Sequence, residues 1–371
     1  MICDLTGGAT APRMRRGHDR QYHRPMDPVS HAVLGAAMAQ STARDRDARV
    51  AAAIGAIAGL AADLDALIGS ADDALLNLEF HRHFSHALLF APVGALLVAA
   101  VLWLALRHRV ALAPLRLYGY ALAGYGLAGL LDACTSYGTH LWWPFTEARV
   151  AWSIVPIVDP VFTLLLAIPL GIGIVRRRPA AARLALSLGA TYLAIGFLQH
   201  QRADAMAREL AAQRGHQPER LIVKPTIGNL VLWRSVYVAG DVIHVDAIRP
   251  GIGRGIRTYA GEGMRRLDPA RDLAWAPPGS RARADVARFA VFADGFLVAH
   301  PTRAGFIGDA RYALLPTRIE PLWGIALDPA SPQRPARFVT DRQLTPAVRQ
   351  QFIDMVLGRA PEGMPRAAVR D

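Results

Sequence analysis

The sequence predicts an α-helical polytopic membrane domain of about five or six helices, followed by a smaller soluble β-rich α+β domain. Three observations carry that prediction. Hydrophobic residues make up 52% of the chain and the mean hydropathy is +0.21. The long apolar runs fall in the first 200 positions, and His86–Leu106 holds 21 residues without an acid, Lys or Arg, enough to cross a hydrocarbon core of about 30 Å. Beyond residue 200, acids, Pro and Gly accumulate and the apolar positions alternate, which is the pattern of strands.

Residues 1–25 are rich in Arg, His and Gly, show no periodicity and contain no apolar signal-peptide core. They are expected to be disordered or an over-extended gene start, with Met26-Asp27-Pro28 reading as the natural beginning. Residues 26–200 form the expected membrane domain. Its helices are predicted at Val29–Gln40, Val50–Ile68, His86–Leu106, Leu117–Asp132, Ile157–Val175 and Leu184–Gln199. Several are short for a full span, so tilted or partly buried helices are expected. Residues 201–371 form the soluble domain, with strands predicted at Leu230–Tyr237, Val242–Val245 and Phe289–Phe296.

The formal net charge of +12 comes from arginine, since Lys224 is the sole lysine. The arginines bracket apolar segments and no stacking aromatics alternate with them, so they read as membrane anchors, and no nucleic-acid partner is expected. Two cysteines, Cys3 and Cys134, give no disulfide framework. Nothing in the sequence bears on oligomeric state. Neither a phosphate-binding loop nor a GxSxG elbow is present, since Gly251-Ile252-Gly253-Arg254-Gly255 lacks the spacing and the lysine.

Arginines cluster at Arg44/Arg46/Arg49, at Arg107/Arg109/Arg116 and at Arg176/Arg177/Arg178/Arg183. With each cluster cytoplasmic, the path through the membrane is determined. His31, Asp63, Asp65, His81, His83, His86, Asp132, His140 and Asp159 then reach one non-cytoplasmic face, and the soluble domain lies on that side.

These residues are the ligand types that Zn²⁺, Mn²⁺ or Fe²⁺ selects. Asp63 and Asp65 are i,i+2 and cannot face one ion from a regular helix, but at a helix end or in a loop they can bridge or flank a metal pair. In His81-Arg82-His83-Phe84-Ser85-His86, three imidazoles fall within six residues. Arg82 suits a phosphate or carboxylate clamp, and Ser85 suits an N-cap of the following helix. Asp132 ends an apolar helix and Asp159 precedes Pro160. Each alone reads as a cap or an interfacial acid, while together with His31 they complete a carboxylate–imidazole site. His140 reads as an interfacial partner of Trp142 and Trp143.

Met26-Asp27-Pro28-Val29-Ser30-His31-Ala32, Asp63-Leu64-Asp65, His81-Arg82…Ser85-His86 and Leu131-Asp132-Ala133-Cys134-Thr135-Ser136-Tyr137-Gly138-Thr139 resemble the bacterial YdjM-like inner-membrane metal-dependent hydrolases, also described as LexA-regulated or LexA-binding. The similarity continues through Trp143-Pro144-Phe145, Ile157-Val158-Asp159-Pro160 and Asn229–Arg234, covering roughly residues 26–330. The combination of motifs is specific, although no single one is. The resemblance implies a metal site like those of zinc-dependent phospholipase C and the single-strand-specific zinc nucleases. By motif it assigns His31, Asp63, Asp65, His81, His86, Asp132 and Asp159 to metal, with His83 at a variable position and His140 where the family often has glutamine.

The expected function is therefore a hydrolase of a phosphoester or ester in a small-molecule or lipid-like substrate, at the outer face of the inner membrane and among its lipids. A divalent metal, zinc first and manganese or iron as alternatives, would lower the pKa of a bound water toward about 7. Asp65 or Asp63 would act as general base or bridging ligand, and Arg82 would stabilise phosphate charge. The alternative is a metal or ion carrier, or a scaffold, without hydrolysis. Ligands spread toward the bilayer midplane would favour a carrier, and ligands gathered at one face favour an enzyme.

Overall fold

Small residues at helical spacing decide how the first two helices meet. In α1 (Pro28–Ser41) and α2 (Ala48–Ala61), a Cβ added at Gly35 would run into the Gly55 carbonyl, and one added at Gly59 would sit 2.5 Å from the His31 carbonyl oxygen. The two backbones touch directly, as small residues permit between helices in a bilayer. The computed structural model describes residues 28–109, 111–251, 255–340, 342–361 and 368–370. The expectations for residues 1–25 and for the start at Met26-Asp27 lie outside them.

Beyond α2 the chain tightens into a 3₁₀ turn, Ala62–Leu67, and then forms α3 (Leu76–Phe80), a second 3₁₀ turn at Phe84–His86, and α4 (Ala91–Leu106). The helix predicted from His86 starts only at Ala91, and its N-cap is Phe90 rather than Ser85. The reason is local: Arg82 has φ 61°, which no helix accommodates, and the Ser85 hydroxyl donates to Asp65 at 2.5 Å. Next come α5 (Pro114–Tyr125) and α6 (Ala128–Cys134), two pieces of the single helix predicted over 117–132, separated at Gly126-Leu127. α7 (Pro160–Arg176) and α8 (Pro179–Gln213) close the helical part. α8 runs 14 residues past the predicted end at Gln199, because Ala203, Met206, Ala207 and Ala211 continue its buried stripe.

Among the described residues two helical stretches are long and apolar enough to cross a membrane, Asp45–Leu67 and Pro179–Gln213. A third appears if Leu76–His86 and α4, bent by 87°, count as one broken span. That is fewer than the five or six predicted. The breaks at 81–90 and 126–127 shorten two of the predicted spans, and α7 is apolar but only 17 residues long. Leu96, Leu97, Val101 and Leu104 on α4, and Leu164, Ile168, Ile172 and Val175 on α7, are exposed. A contiguous apolar exterior of this kind belongs in hydrocarbon rather than water. The protein is a membrane protein.

The remainder carries two small antiparallel sheets. The first has the order β1-β2-β3-β4-β9, from β1 (Arg220–Pro225), β2 (Trp233–Ala239), β3 (Val242–Arg249), β4 (Ile256–Arg265) and β9 (Ala368–Arg370). Two helices, α9 (Pro269–Asp272) and α10 (Arg281–Phe292), precede the second sheet, β5 (Leu297–Ala299), β6 (Phe306–Asp309), β7 (Trp323–Ala326) and β8 (Arg337–Thr340), ordered sequentially, and α11 (Pro346–Val356) follows it. Phe289–Phe296, predicted as a strand, is the end of α10 and its cap. Ala282, Val286, Phe289 and Phe292 are buried at helical spacing while Val291 faces solvent, so the period of this run is 3–4 and not 2.

This β-rich part sits on the end of the helical part where α2, α6 and α7 meet their loops. Arg288 of α10 donates to Glu79 at 2.7 and 2.8 Å and pairs with Asp73 at 2.9 Å. The Tyr312 hydroxyl donates to the Ser136 carbonyl at 3.0 Å, and the Gly228 N–H in the β1–β2 turn donates to the Val158 carbonyl at 3.0 Å.

Candidate metal centre

The start of α1, the end of α2, the 81–86 turn, the end of α6 and the start of α7 bring their polar side chains to this same end. Asp132 is completely buried at the C-terminal end of α6. Its Oδ1 accepts from His31 Nε2 at 3.0 Å and pairs with Arg82 Nη2 at 2.9 Å, and its Oδ2 lies 3.1 Å from His86 Nε2. Asp63 Oδ1 lies 3.3 Å from the same His86 nitrogen. Ligand atoms of His31, Asp63 and Asp132 all fall within 4.8 Å of one another. Four side chains from four segments, His31, Asp63, His86 and Asp132, therefore converge on one point.

Asp65 stands behind that point rather than at it. Its Oδ1 accepts from His81 Nδ1 at 2.9 Å, and its Oδ2 accepts from the Arg82 backbone N–H at 2.9 Å, the Ser85 hydroxyl at 2.5 Å and His86 Nδ1 at 3.0 Å. Both oxygens are thus engaged by donors. With Nδ1 turned to Asp65, Nε2 is the ring nitrogen of His86 that faces Asp63 and Asp132. A carboxylate behind a histidine in this way fixes its tautomer and raises its basicity as a ligand. The 3₁₀ turn explains the separate duties of the two aspartates, since residues two apart point to different sides of it.

His81 lies at the edge of the group, its ring centroid 6.4 Å from that of His86 and 5.7 Å from that of Tyr137. Asp159 caps α7: Oδ1 accepts from the Val161 and Phe162 N–H groups, and Oδ2 accepts from the Tyr192 hydroxyl at 2.7 Å. It shares a small cleft with Ser30, His31, Arg82 and Asp132. Arg82, besides its contact with Asp132, donates to Thr135 Oγ1 at 3.0 Å, and its guanidinium carbon lies 5.1 Å from the centre of the Tyr137 ring.

The residues present fit a divalent cation. His86 Nε2, Asp63 Oδ2 and Asp132 Oδ2 are buried and have no hydrogen-bond partner, although His86 Nε2 and Asp132 Oδ2 are 3.1 Å apart. Buried carboxylates and imidazoles crowded together are costly in a low-dielectric site unless a cation or a proton lies between them, and two imidazoles with two carboxylates are a ligand set that zinc, manganese or iron accepts.

A second group of ligand types forms outside the predicted set. His83 Nε2 donates to Glu147 Oε2 at 3.3 Å, His140 Nδ1 lies 3.9 Å from the same oxygen, and the two rings are 4.5 Å apart. Burial, and then Arg149 and His83, pull His140 down to about 4, so it is a neutral imidazole at physiological pH. Glu147 is the residue that sequence reasoning missed, and its one signal is that it is the sole acid between Asp132 and Asp159.

Two glycines guard the primary group. A Cβ at Gly59 would press on the His31 carbonyl, and one at Gly129 on the His86 carbonyl. Gly129→Ala should displace His86 and cost about 1–3 kcal/mol of stability through overpacking. Thermal unfolding of the variant beside wild type checks this, and an unchanged midpoint would refute the close packing.

Among known proteins, the model of the YdjM inner membrane protein family matches residues 26–203. The match ends within α8, short of the residue 330 expected from the motifs. No curated protein and no solved structure matches the chain.

Proposed function

Residues 26–203 belong to the YdjM inner membrane protein family, and on that premise we propose that this membrane protein is a metal-dependent hydrolase of a phosphoester or ester in a lipid-like substrate. The observation that carries the proposal is the convergence of His31, Asp63, His86 and Asp132, each of which has one buried side-chain atom without a hydrogen-bond partner. These four residues would hold the ion. When bound, a divalent cation supplies Lewis-acid polarisation of an ester or phosphoryl oxygen and acidifies water.

The chain's own residues do the rest. Asp65 and Ser85 fix the His86 ring, and Asp65 fixes His81 at the edge of the group. Arg82 holds Asp132 and brings positive charge to the cleft beside it, where developing negative charge on a substrate oxygen is stabilised. Asp63 is half-buried while the other three are buried, so it would hold the ion through one carboxylate oxygen and take a proton from an incoming nucleophile with the other. Donors collected at one end of the helices favour an enzyme over the carrier reading, for which polar groups would continue toward the midplane.

The first test is elemental analysis of purified protein, expected to give stoichiometric zinc, manganese or iron in wild type and none in His86→Ala. Metal-loaded protein should then turn over a phosphoester or ester lipid. Wild type that carries no metal and takes none up on reconstitution would remove the proposal. The arginine pattern further supports several crossings of the inner membrane, with the metal group and the β-rich part on the periplasmic side. A periplasm-dependent reporter fused after Gln213 should be active, and an inactive fusion would overturn that orientation.

A further inference from the structure

The largest cavity described, about 670 Å³, lies between the helical part and the two sheets, a size typical of small-molecule sites. Its walls are mostly apolar, with Ile157, Val158, Leu314, Leu322, Phe338 and Phe352 among them. At its edge stand Ile227 and Leu344, 68% and 61% exposed. Ile227 is in the β1–β2 turn, the turn that hydrogen-bonds to Val158 at the end of the helices, so this apolar edge meets the region where membrane and water meet.

Three cations line the cavity, Lys224, Arg234 and Arg342, and no carboxylate does so among the described residues. They are not equivalent. Arg234 is spent on its own chain, donating to the carbonyls of Ala310, Leu315, Pro316 and Arg318. Those bonds hold the segment that carries Tyr312 and Leu314 onto the wall. Arg342 is exposed.

Lys224, the only lysine in 371 residues, is buried, and its Nζ sits 3.0 Å above the centre of the Tyr312 ring. Among the described residues its amine makes no hydrogen bond and no ion pair. Asp309, the carboxylate whose charge acts on it, is held by Arg311 at 2.7 Å. Burial, and then Arg234, push the Lys224 amine well below the usual lysine range. An amine kept in such a place without a counter-ion is a cost that an anionic ligand would reverse. Tyr312 also ties this seat to the metal group: its hydroxyl holds Ser136, the neighbouring Tyr137 ring packs on His81, and His81 itself lines the cavity.

We propose that this cavity is the substrate chamber of the metal group and takes a single-chain anionic amphiphile, its anionic head met by Lys224 and its apolar chain lying toward Ile227 and Leu344. The proposal names the substrate class of the hydrolase reading and rests on it. The head group is a phosphate monoester, which water would cleave to the alcohol and inorganic phosphate, or a carboxylate, which is the product an ester substrate would leave in the chamber.

A solitary lysine makes the test direct, because an amine-directed reagent followed by peptide mapping reports on Lys224 alone. The full-length protein in phosphatidylcholine nanodiscs is labelled with and without monoacylglycerol phosphate, palmitate, neutral monoacylglycerol or inorganic phosphate. Slowing of Lys224 labelling by about tenfold, the worth of one charge-assisted contact, is expected with one or both anionic amphiphiles and not with the other two. Which of them protects identifies the head group. Equal protection by neutral monoacylglycerol would overturn the role of the amine, equal protection by inorganic phosphate would overturn the role of the chain, and protection by none would overturn the chamber. Displacement of a fluorescent fatty acid gives a second readout: affinity should fall about tenfold in Lys224→Met and be retained in Lys224→Arg. Labelling and displacement read occupancy without turnover, so their failure is distinct from a failure to find metal or hydrolysis.

Discussion

Asp132→Ala should lose the bound metal entirely and destabilise the protein by about 3–5 kcal/mol, the usual cost of leaving buried charges without their partner. Asp132 accepts from His31 and Arg82 through one oxygen and faces His86 with the other, so its removal strands three polar side chains that are all buried. Asp65→Asn should behave differently. An asparagine retains one carbonyl oxygen for His81 or His86 but not four acceptor positions, and the expected loss of metal affinity is about 10–100-fold, as for other groups that orient a ligand. Metal titration monitored by elemental analysis, with thermal unfolding alongside, separates the two. If Asp65→Asn abolished binding while Asp132→Ala kept it, the roles of the two aspartates would be exchanged. If neither changed metal content, the ion would be held elsewhere, and His83, His140 and Glu147 would be the residues to replace next.

The difference between these two aspartates shows what is legible in the residues themselves. Asp63 and Asp65, two apart, were bound to face different directions in any helical turn, and the structure sends the first to His86 Nε2 and the second to His86 Nδ1. One imidazole is gripped from both sides by neighbours in sequence. The convergence of His31, Asp63, His86 and Asp132 was similarly legible, because each lies near the end of an apolar run and the arginine clusters predict which ends lie together. The backbone between them was not. Composition across His86–Leu106 cannot reveal that Arg82 takes a positive φ or that Ser85 turns inward to Asp65, and those two facts delay α4 to Ala91. In Phe289–Phe296 the period was ambiguous because alternate and every-third apolar positions coincide in so short a run. Glu147 and Lys224 acquire their neighbours only through tertiary packing: one through the fold-back that brings it to His140, the other through the seating of the sheets on the helices.

Lys224→Met should stabilise the protein at neutral pH, and the gain should shrink as the pH rises. In the unfolded chain the amine keeps its usual value near 10.5, whereas burial followed by Arg234 holds it well below that when folded. Between those two values the unfolded state binds the extra proton, so raising the pH favours the folded state, by about 1.4 kcal/mol per pH unit for this one group. Wild type should therefore gain stability relative to Lys224→Met as pH climbs toward 10.5, and the two should converge above it. Thermal midpoints of both proteins across pH 7–10 supply the comparison. Parallel curves would mean that the amine keeps its proton in the folded protein, and that some anion already stands beside it. The same measurement with a bound anionic amphiphile should remove the difference at neutral pH, since a charged partner restores the proton to Lys224 and turns an unfavourable burial into an ion pair. A residue that lowers the stability of the empty protein and raises that of the loaded one fits a ligand-binding role better than a purely structural one.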